Sequence, residues 1–401
     1  MNWLQGGLLA ALATGLVLAV AVALEARRKN MHQWLGAYIR QRRPAPVAGP
    51  VHVMFAFVDH FEPQWGRPDY ATEVKRVARW REGYKALASR HQDADGVPPQ
   101  HTFFYPEEEY RPEHLDALAD LCREGFGEIE VHLHHDHDTE AGLRKKITGF
   151  VQLLHQRHGA LPVDPATGQP AFGFIHGNWS LDNSRGDGRW CGVNNELRVL
   201  GELGCYADFT LPSAPSDTQT RKINSIYYAT DDVHRPKSHD DGVDVCAGRA
   251  GHGDLLVVQG PLALNWKRRR HGLVPRIENA DIRAAYPPTP DRIALWVRQH
   301  IHVRGRPEWI FIKVHTHGTP ERDTDALLGA PVEAMFSHLE SRYNDGRQYL
   351  LHYVSSREMF NIIKAAEAGL QGNPHQYRNH VLPKPPMFTA PPAAAHHGRQ
   401  A

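Results

Sequence analysis

A chain of 401 residues, 41% hydrophobic and 23% charged, is long enough to bury one large core. Its 46 basic and 45 acidic side chains leave a formal charge of +1, so no electrostatic field points to nucleic acid as a partner. Cys122, Cys191, Cys205 and Cys246 show no Cys-x-x-Cys spacing, which argues against a zinc knuckle and against a disulfide framework.

Asn2 to Leu24 carries no charged side chain and is rich in Leu, Ala and Val, enough for a helix of about 20 residues spanning about 30 Å of hydrocarbon. No basic stretch precedes it, and Ala23, Leu24, Glu25 is a poor cleavage site, so residues 1–24 are expected to be an uncleaved single-pass membrane anchor. Arg27, Arg28, Lys29, Arg40, Arg42 and Arg43 follow it and place the domain on the cytoplasmic side by the positive-inside rule; the periplasmic or extracellular side is the alternative. Residues 25–50 form a basic juxtamembrane segment that ends in the stiff linker Pro44 to Pro50.

The apolar run Val51 to Val58 predicts a strand buried on both faces of a parallel sheet. A helix is expected over Ala71 to His91, with Val74, Val77, Tyr84 and Leu87 on its buried stripe. The alternation continues with a strand His101 to Tyr105, a helix carrying Leu115, Leu118, Ala119 and Cys122, and a strand Ile129 to Leu133. Next come a helix with Leu143, Ile147, Phe150 and Leu154, a strand Ala171 to Ile175, a helix Asn194 to Leu203 and a strand Tyr206 to Leu211. A β-rich insertion occupies roughly 212–290, with pieces at Ile223 to Ala229 and Leu255 to Gln259. Regular order resumes with a helix Ile293 to Ile301, a strand Trp309 to Val314, a helix from Pro331, a strand Tyr349 to Val354 and a capping box at Ser355 and Glu358. The domain is thus expected over 51–370, with a disordered Pro- and Ala-rich tail over 371–401.

Repeated βα units predict an α/β fold with seven or eight strands, a (β/α) barrel that is complete or distorted and seven-stranded, with a doubly wound open sheet as the structural alternative. No Gly-x-Gly-x-x-Gly or Walker loop follows the first strand, so a nucleotide has no cradle. Such folds place their chemistry where strands run out into loops. Asp59, His60 and Glu62 end the first strand, and His132, His134, His135, Asp136, His137 and Asp138 end the third. His132 and His134 share a face through the two-residue period, and Asp136 joins them if the extended conformation persists. Imidazole with carboxylate suits a divalent transition metal, Zn²⁺ above others.

Four stretches carry a family resemblance: Phe57, Val58, Asp59, His60; Thr102, Phe103, Phe104; Glu128, Ile129, Glu130, Val131, His132; and Phe311 to His315. Together they resemble the polysaccharide deacetylases with a NodB-homology domain, carbohydrate esterase family 4. The resemblance implies a metal held by His60, His132 and Asp136, with His134 as the alternative to Asp136. It implies Asp59 as general base and His315 as the acid that protonates the leaving amine. The family's Arg-x-Pro-Tyr motif is missing; His176, Trp179 and Arg185 occupy the comparable stretch as substrate-binding candidates, and His317 joins them. The implied function is removal of N-acetyl groups from a polysaccharide or glycan. A glycoside hydrolase using Asp59 and a second carboxylate such as Asp208, or a glycan-binding protein without catalysis, are the alternatives.

Overall fold

The structure, a computed structural model, describes residues 3–41, 47–270, 272 and 274–389. Two helices, α1 (Trp3–Arg28) and α2 (Leu35–Arg40), precede the sheet. β1 (Val51–His60), β2 (His101–Pro106), β3 (Gly127–Leu133), β4 (Phe172–His176) and β5 (Cys205–Asp208) lie side by side in parallel. The insertion supplies β6 (Ile226–Ala229), β7 (Val243–Asp244) and β8 (Leu255–Val258), followed by the separate antiparallel pair β9 (Ala263–Arg270) and β10 (Val274–Glu278). β11 (Trp309–Thr316) runs parallel to β1 along its whole length, and β12 (Tyr349–Tyr353) pairs with the first half of β1, where β2 has not yet begun. The order is β11-β1-β2-β3-β4-β5-β8-β6-β7 with β12 beside β1, a ten-stranded, mostly parallel sheet.

The expected barrel does not close. β5 meets β8 at one register position, Asp208 with Val257, and β6 and β7 then continue antiparallel, so this edge never forms a ladder with β11. A side chain spans part of the gap: Lys313 of β11 donates through Nζ to the carbonyls of Phe209 and Leu211 just beyond β5.

Alternation along β1 sorts the core into two faces. Val53, Phe55 and Phe57 pack beneath α3 (Tyr70–Ala88), α4 (Pro112–Arg123), α5 (Glu140–His158), α6 (Glu196–Glu202), α7 (Pro290–Gln299), α8 (Glu321–Leu327) and α9 (Ala330–Tyr343). Met54, Ala56 and Val58 pack instead with Met359, Ile362 and Ile363 of α10 (Ser356–Glu367). On α3 the buried stripe differs from expectation, because Val74 is exposed and Trp80 lies fully buried beside Val77 and Tyr84.

The expected capping box is present: Ser355 accepts from the Glu358 amide and Glu358 accepts from the Ser355 amide. Ser355→Ala should lower stability by about 1 kcal/mol, read as a lower denaturant midpoint at unchanged slope.

Two expectations at the ends are corrected. Among the described residues no helix is long and apolar enough to cross a membrane, which overturns the single-pass anchor and with it both assignments of sidedness. α1 runs past Leu24 into a charged last turn, where Glu25 pairs with Arg28 at 2.8 Å and Lys29 at 3.1 Å. The chain beyond it is docked on the domain: Trp34 is buried in a cluster with Met31, Ala214 and Leu262, and Asn30 Nδ2 donates to the Pro215 carbonyl at 3.0 Å. Arg42, Arg43 and the start of the expected linker lie outside the described residues. At the other end, residues 371–389 are not a free tail. Leu382 and Met387 are buried there, and Arg357 of α10 donates through Nη1 to the carbonyls of Arg378 and Leu382 at 3.1 and 3.0 Å. Residues 390–401 of the expected tail lie outside the described residues.

Candidate metal centre

Parallel strands bring their C-terminal ends to one rim, and alternation decides which side chains meet there. His60 follows the parity of Met54, Ala56 and Val58, His132 that of Glu128 and Glu130, and His315 that of Phe311 and Lys313. Their rings converge, with His60 4.9 Å from His132 and 6.4 Å from His315 between ring centres. Glu62, two residues beyond His60, completes the group: His60, Glu62 and His132 each offer a donor atom within 4.8 Å of the others, and all three are buried. His134 adds a fourth donor, because its Nε2 lies 3.3 Å from Glu62 Oε1, the same separation as that of His132 Nε2.

The protonation pattern suits a cation. His132 Nδ1 lies 2.7 Å from the Ile175 carbonyl, an acceptor only, so Nδ1 carries the proton and Nε2 turns its lone pair toward Glu62. Burial, with His317 and His132 beside it, holds His60 well below the ordinary histidine range. Burial would raise the Glu62 carboxyl, but the His132 and His134 rings hold it below the usual carboxylate range, and its Oε2 is buried without a partner. Burial also opposes charge on His134, yet Glu108 and Glu62 carry it up to about 10. The neutral rings of His60 and His132 beside a carboxylate with an unused oxygen could hold a metal ion, while charged His134 is ion-paired with Glu62 and Glu108.

Asp136 is not part of this set. The chain turns after Leu133, with His137 at φ 47°, so the extended conformation that would have aligned Asp136 with His132 is lost. Asp136 is exposed and accepts from the Trp190 amide at 2.6 Å. Glu62 stands where the expected third ligand would be, and His134, the alternative to Asp136, is beside it.

Asp59 points to the opposite face from His60. Its Oδ2 lies 3.0 Å from His101 Nε2, and its Oδ1 accepts from the Gly318 amide at 2.7 Å. A Cβ at Gly318 would sit 2.1 Å from Asp59 Oδ2, so only glycine permits this clasp. Asp59 is fully buried, and the geometry makes it the anchor of the turn after His317. Asp208 is also fully buried and takes both the amide and the hydroxyl of Thr210, at 3.0 and 2.6 Å. The Asp59 and Asp208 pair of a two-carboxylate glycosidase therefore has its oxygens engaged with the protein's own groups.

Of the other candidates, His317 stacks on His60 at 4.6 Å and 22°, and Trp179 and Trp65 flank it at 5.8 and 5.6 Å. Trp179 has a left-handed φ of 56°, rare for a large side chain, and this conformation accompanies a ring 6.2 Å from His60. His315 keeps a buried, unpartnered Nδ1. Arg185 does not reach the rim; it pairs with Asp187 at 2.9 Å and lies over the Trp190 ring. His176 belongs to a different group, facing the side of the sheet covered by α3 to α9, with His135, Cys191 and Glu196.

Sequence reasoning placed Glu62 at the rim without making it a ligand. Its signal was the i, i+2 spacing from His60. A third group, Asp93, Asp95 and His352, is taken up by structural bonds: Asp93 holds Arg378 and the Tyr353 amide, and Asp95 holds His352 and Asn373. Buried His, Cys and Glu groups of this chain could therefore hold a metal ion at two places. No family model matches the chain, and no curated protein matches it.

Proposed function

We propose that this chain is a metal-dependent hydrolase that removes N-acetyl groups from a polysaccharide or other glycan, in the manner of the deacetylases it resembles. The reading rests above all on the convergence of His60, Glu62 and His132 at the ends of parallel strands, with His315 beside them. His60, Glu62 and His132 would hold a divalent transition metal, zinc by its preference for such donors, with His134 joining as a fourth donor on giving up its proton. When bound, the metal supplies Lewis acidity toward the acetamide carbonyl and toward water. Burial, with Lys313 and His317 nearby, holds His315 well below the ordinary histidine range. As a neutral ring it takes the proton given up by the attacking water at its free Nδ1 and passes it to the departing amine. Trp179 and Trp65 flank His317 and offer aromatic surface for a sugar ring. Asp59 acts through Gly318, holding the turn that carries His317.

The purified chain should release acetate from N-acetylhexosamine polymers, stop on chelation and resume when zinc is restored. Reducing ends appearing in place of acetate, with no effect of chelator, would overturn this reading in favour of a glycoside hydrolase. Glycan binding without any release would leave a binding protein.

A further inference from the structure

We infer that His135, His176, Cys191 and Glu196 form a second metal site, a closed structural zinc centre on the face of the sheet opposite the rim histidines. Its four donors come from four pieces of chain: the loop after β3, the last residue of β4, the following loop and the first residue of α6. One donor atom from each lies within 4.8 Å of the others, and all four residues are buried.

The separations suit a small tetrahedral ion. His135 Nε2 lies 2.8 Å from His176 Nε2 and 3.1 Å from Glu196 Oε1, His176 Nε2 lies 3.4 Å from Glu196 Oε2, and Cys191 Sγ lies 3.5 Å from Glu196 Oε2. Zinc bonds of about 2.0–2.3 Å set tetrahedral edges of roughly 3.3–3.8 Å, so small outward shifts of the two rings would complete the cage.

The protons point the same way. His176 Nδ1 lies 2.6 Å from the Gly177 carbonyl and His135 Nδ1 lies 3.1 Å from Asp138, both pure acceptors, so each Nδ1 carries a proton. Both Nε2 atoms then turn lone pairs toward one another across 2.8 Å, an opposition that a cation between them removes. Asp138 is itself held by Lys146 Nζ at 2.7 Å, the outer support that metal-bound histidines commonly have. The Val193 amide donates to Cys191 Sγ at 3.4 Å, a contact suited to a thiolate. The one competing arrangement is a proton shared by the two rings beside the Glu196 carboxylate.

Nothing in the group faces solvent, so the site has no position for substrate and its work is structural. It ties α6 to the loop in which Asn178, Trp179, Asp182, Asn183 and Trp190 all adopt left-handed φ. That loop carries Trp179 to the rim, so the site would fix an aromatic wall of the other centre.

Cobalt distinguishes the two sites, because only this one contains sulfur. Full-length protein produced in cobalt-supplemented medium should show the near-ultraviolet thiolate-to-cobalt charge-transfer band. Cys191→Ser should abolish the band, and His132→Ala, which removes a ligand of the rim centre, should keep it. Absence of the band from cobalt-containing wild type, a reading independent of whether any variant folds, would overturn the proposal in favour of the shared proton. Persistence of the band in Cys191→Ser would overturn it as well. Loss of acetate release with the band intact would count against the proposed hydrolase alone.

Discussion

Arg292→Met should destabilise the domain by about 3–5 kcal/mol, because it leaves a buried carboxylate without its counter-ion. Arg292 and Glu278 are both fully buried, and the guanidinium meets the carboxylate with two bonds of 2.8 Å. Glu278 also accepts from Tyr286 Oη at 2.6 Å and Trp296 Nε1 at 2.9 Å, so four side-chain hydrogen bonds converge on that one charge. The double variant Glu278→Leu/Arg292→Met should lose less than Arg292→Met alone, since removing both charges removes the unpaired one. Denaturant midpoints of the three proteins provide the measurement. An unchanged midpoint in Arg292→Met would show that the carboxylate is not held in isolation from water.

The same group reaches the candidate site. Arg292 Nη2 donates to the Asp281 carbonyl at 2.6 Å, and the segment around Asp281 pairs with β11 at His315: the His315 amide donates to Ala280 and the Ile282 amide to His315. The ion pair thus sets the backbone from which His315 projects. Arg292→Met should therefore also weaken activity.

Much of the sheet was legible because its strands are short runs rich in β-branched and aromatic residues. Val51 to Val58 could be read as a strand buried on both faces and Ile129 to Leu133 and Trp309 to Val314 as strands, and each is a strand here. Parity within the third strand puts His132 and His134 on one face, whereas the meeting of His60, His132 and His315 at one rim depends on the pairing of β1 with β11 and β2 and of β2 with β3. Closure of the barrel was not legible in this way. It depended on whether β5 and β11 would share a ladder, and the insertion placed β8 and β6 at that edge. The run Asn2 to Leu24 was misread because composition alone does not show where a helix goes; the segment after α1 is packed against Ala214 and Leu262.

The site shows the same division between local and distant signals. Asp136 was expected beside His132 on the assumption that the strand continued, and the left-handed turn at His137 breaks that assumption. Glu62 lies beyond the end of β1, where a period-two argument weakens although here it holds. His135 and Glu196 are 61 residues apart, and Cys191 has no spacing to either that a motif would capture. The pairing of β3 with β4 sets His135 near His176, and the fold of the chain into α6 brings Cys191 and Glu196 to them.

His315→Ala should reduce acetate release by about 10²–10⁴-fold, the range for losing a positioned proton donor. His315 sits on β11, which pairs with β1 from His52 to Asp59, so its backbone does not depend on the ring, and bound metal at the rim should remain. Asp59→Asn separates the two roles open to that carboxyl. As a base acting on the reacting water it would cost as much as His315→Ala. Acting through the Gly318 amide, it should cost less: an amide oxygen still accepts from Gly318, and His101, whose Nδ1 is buried without a partner, can shift its proton to accept from the new amide with Nε2. Acetate release is to be compared at matched metal content. A loss in Asp59→Asn equal to that in His315→Ala would put Asp59 at the reacting atoms and would require the clasp on Gly318 to open during turnover.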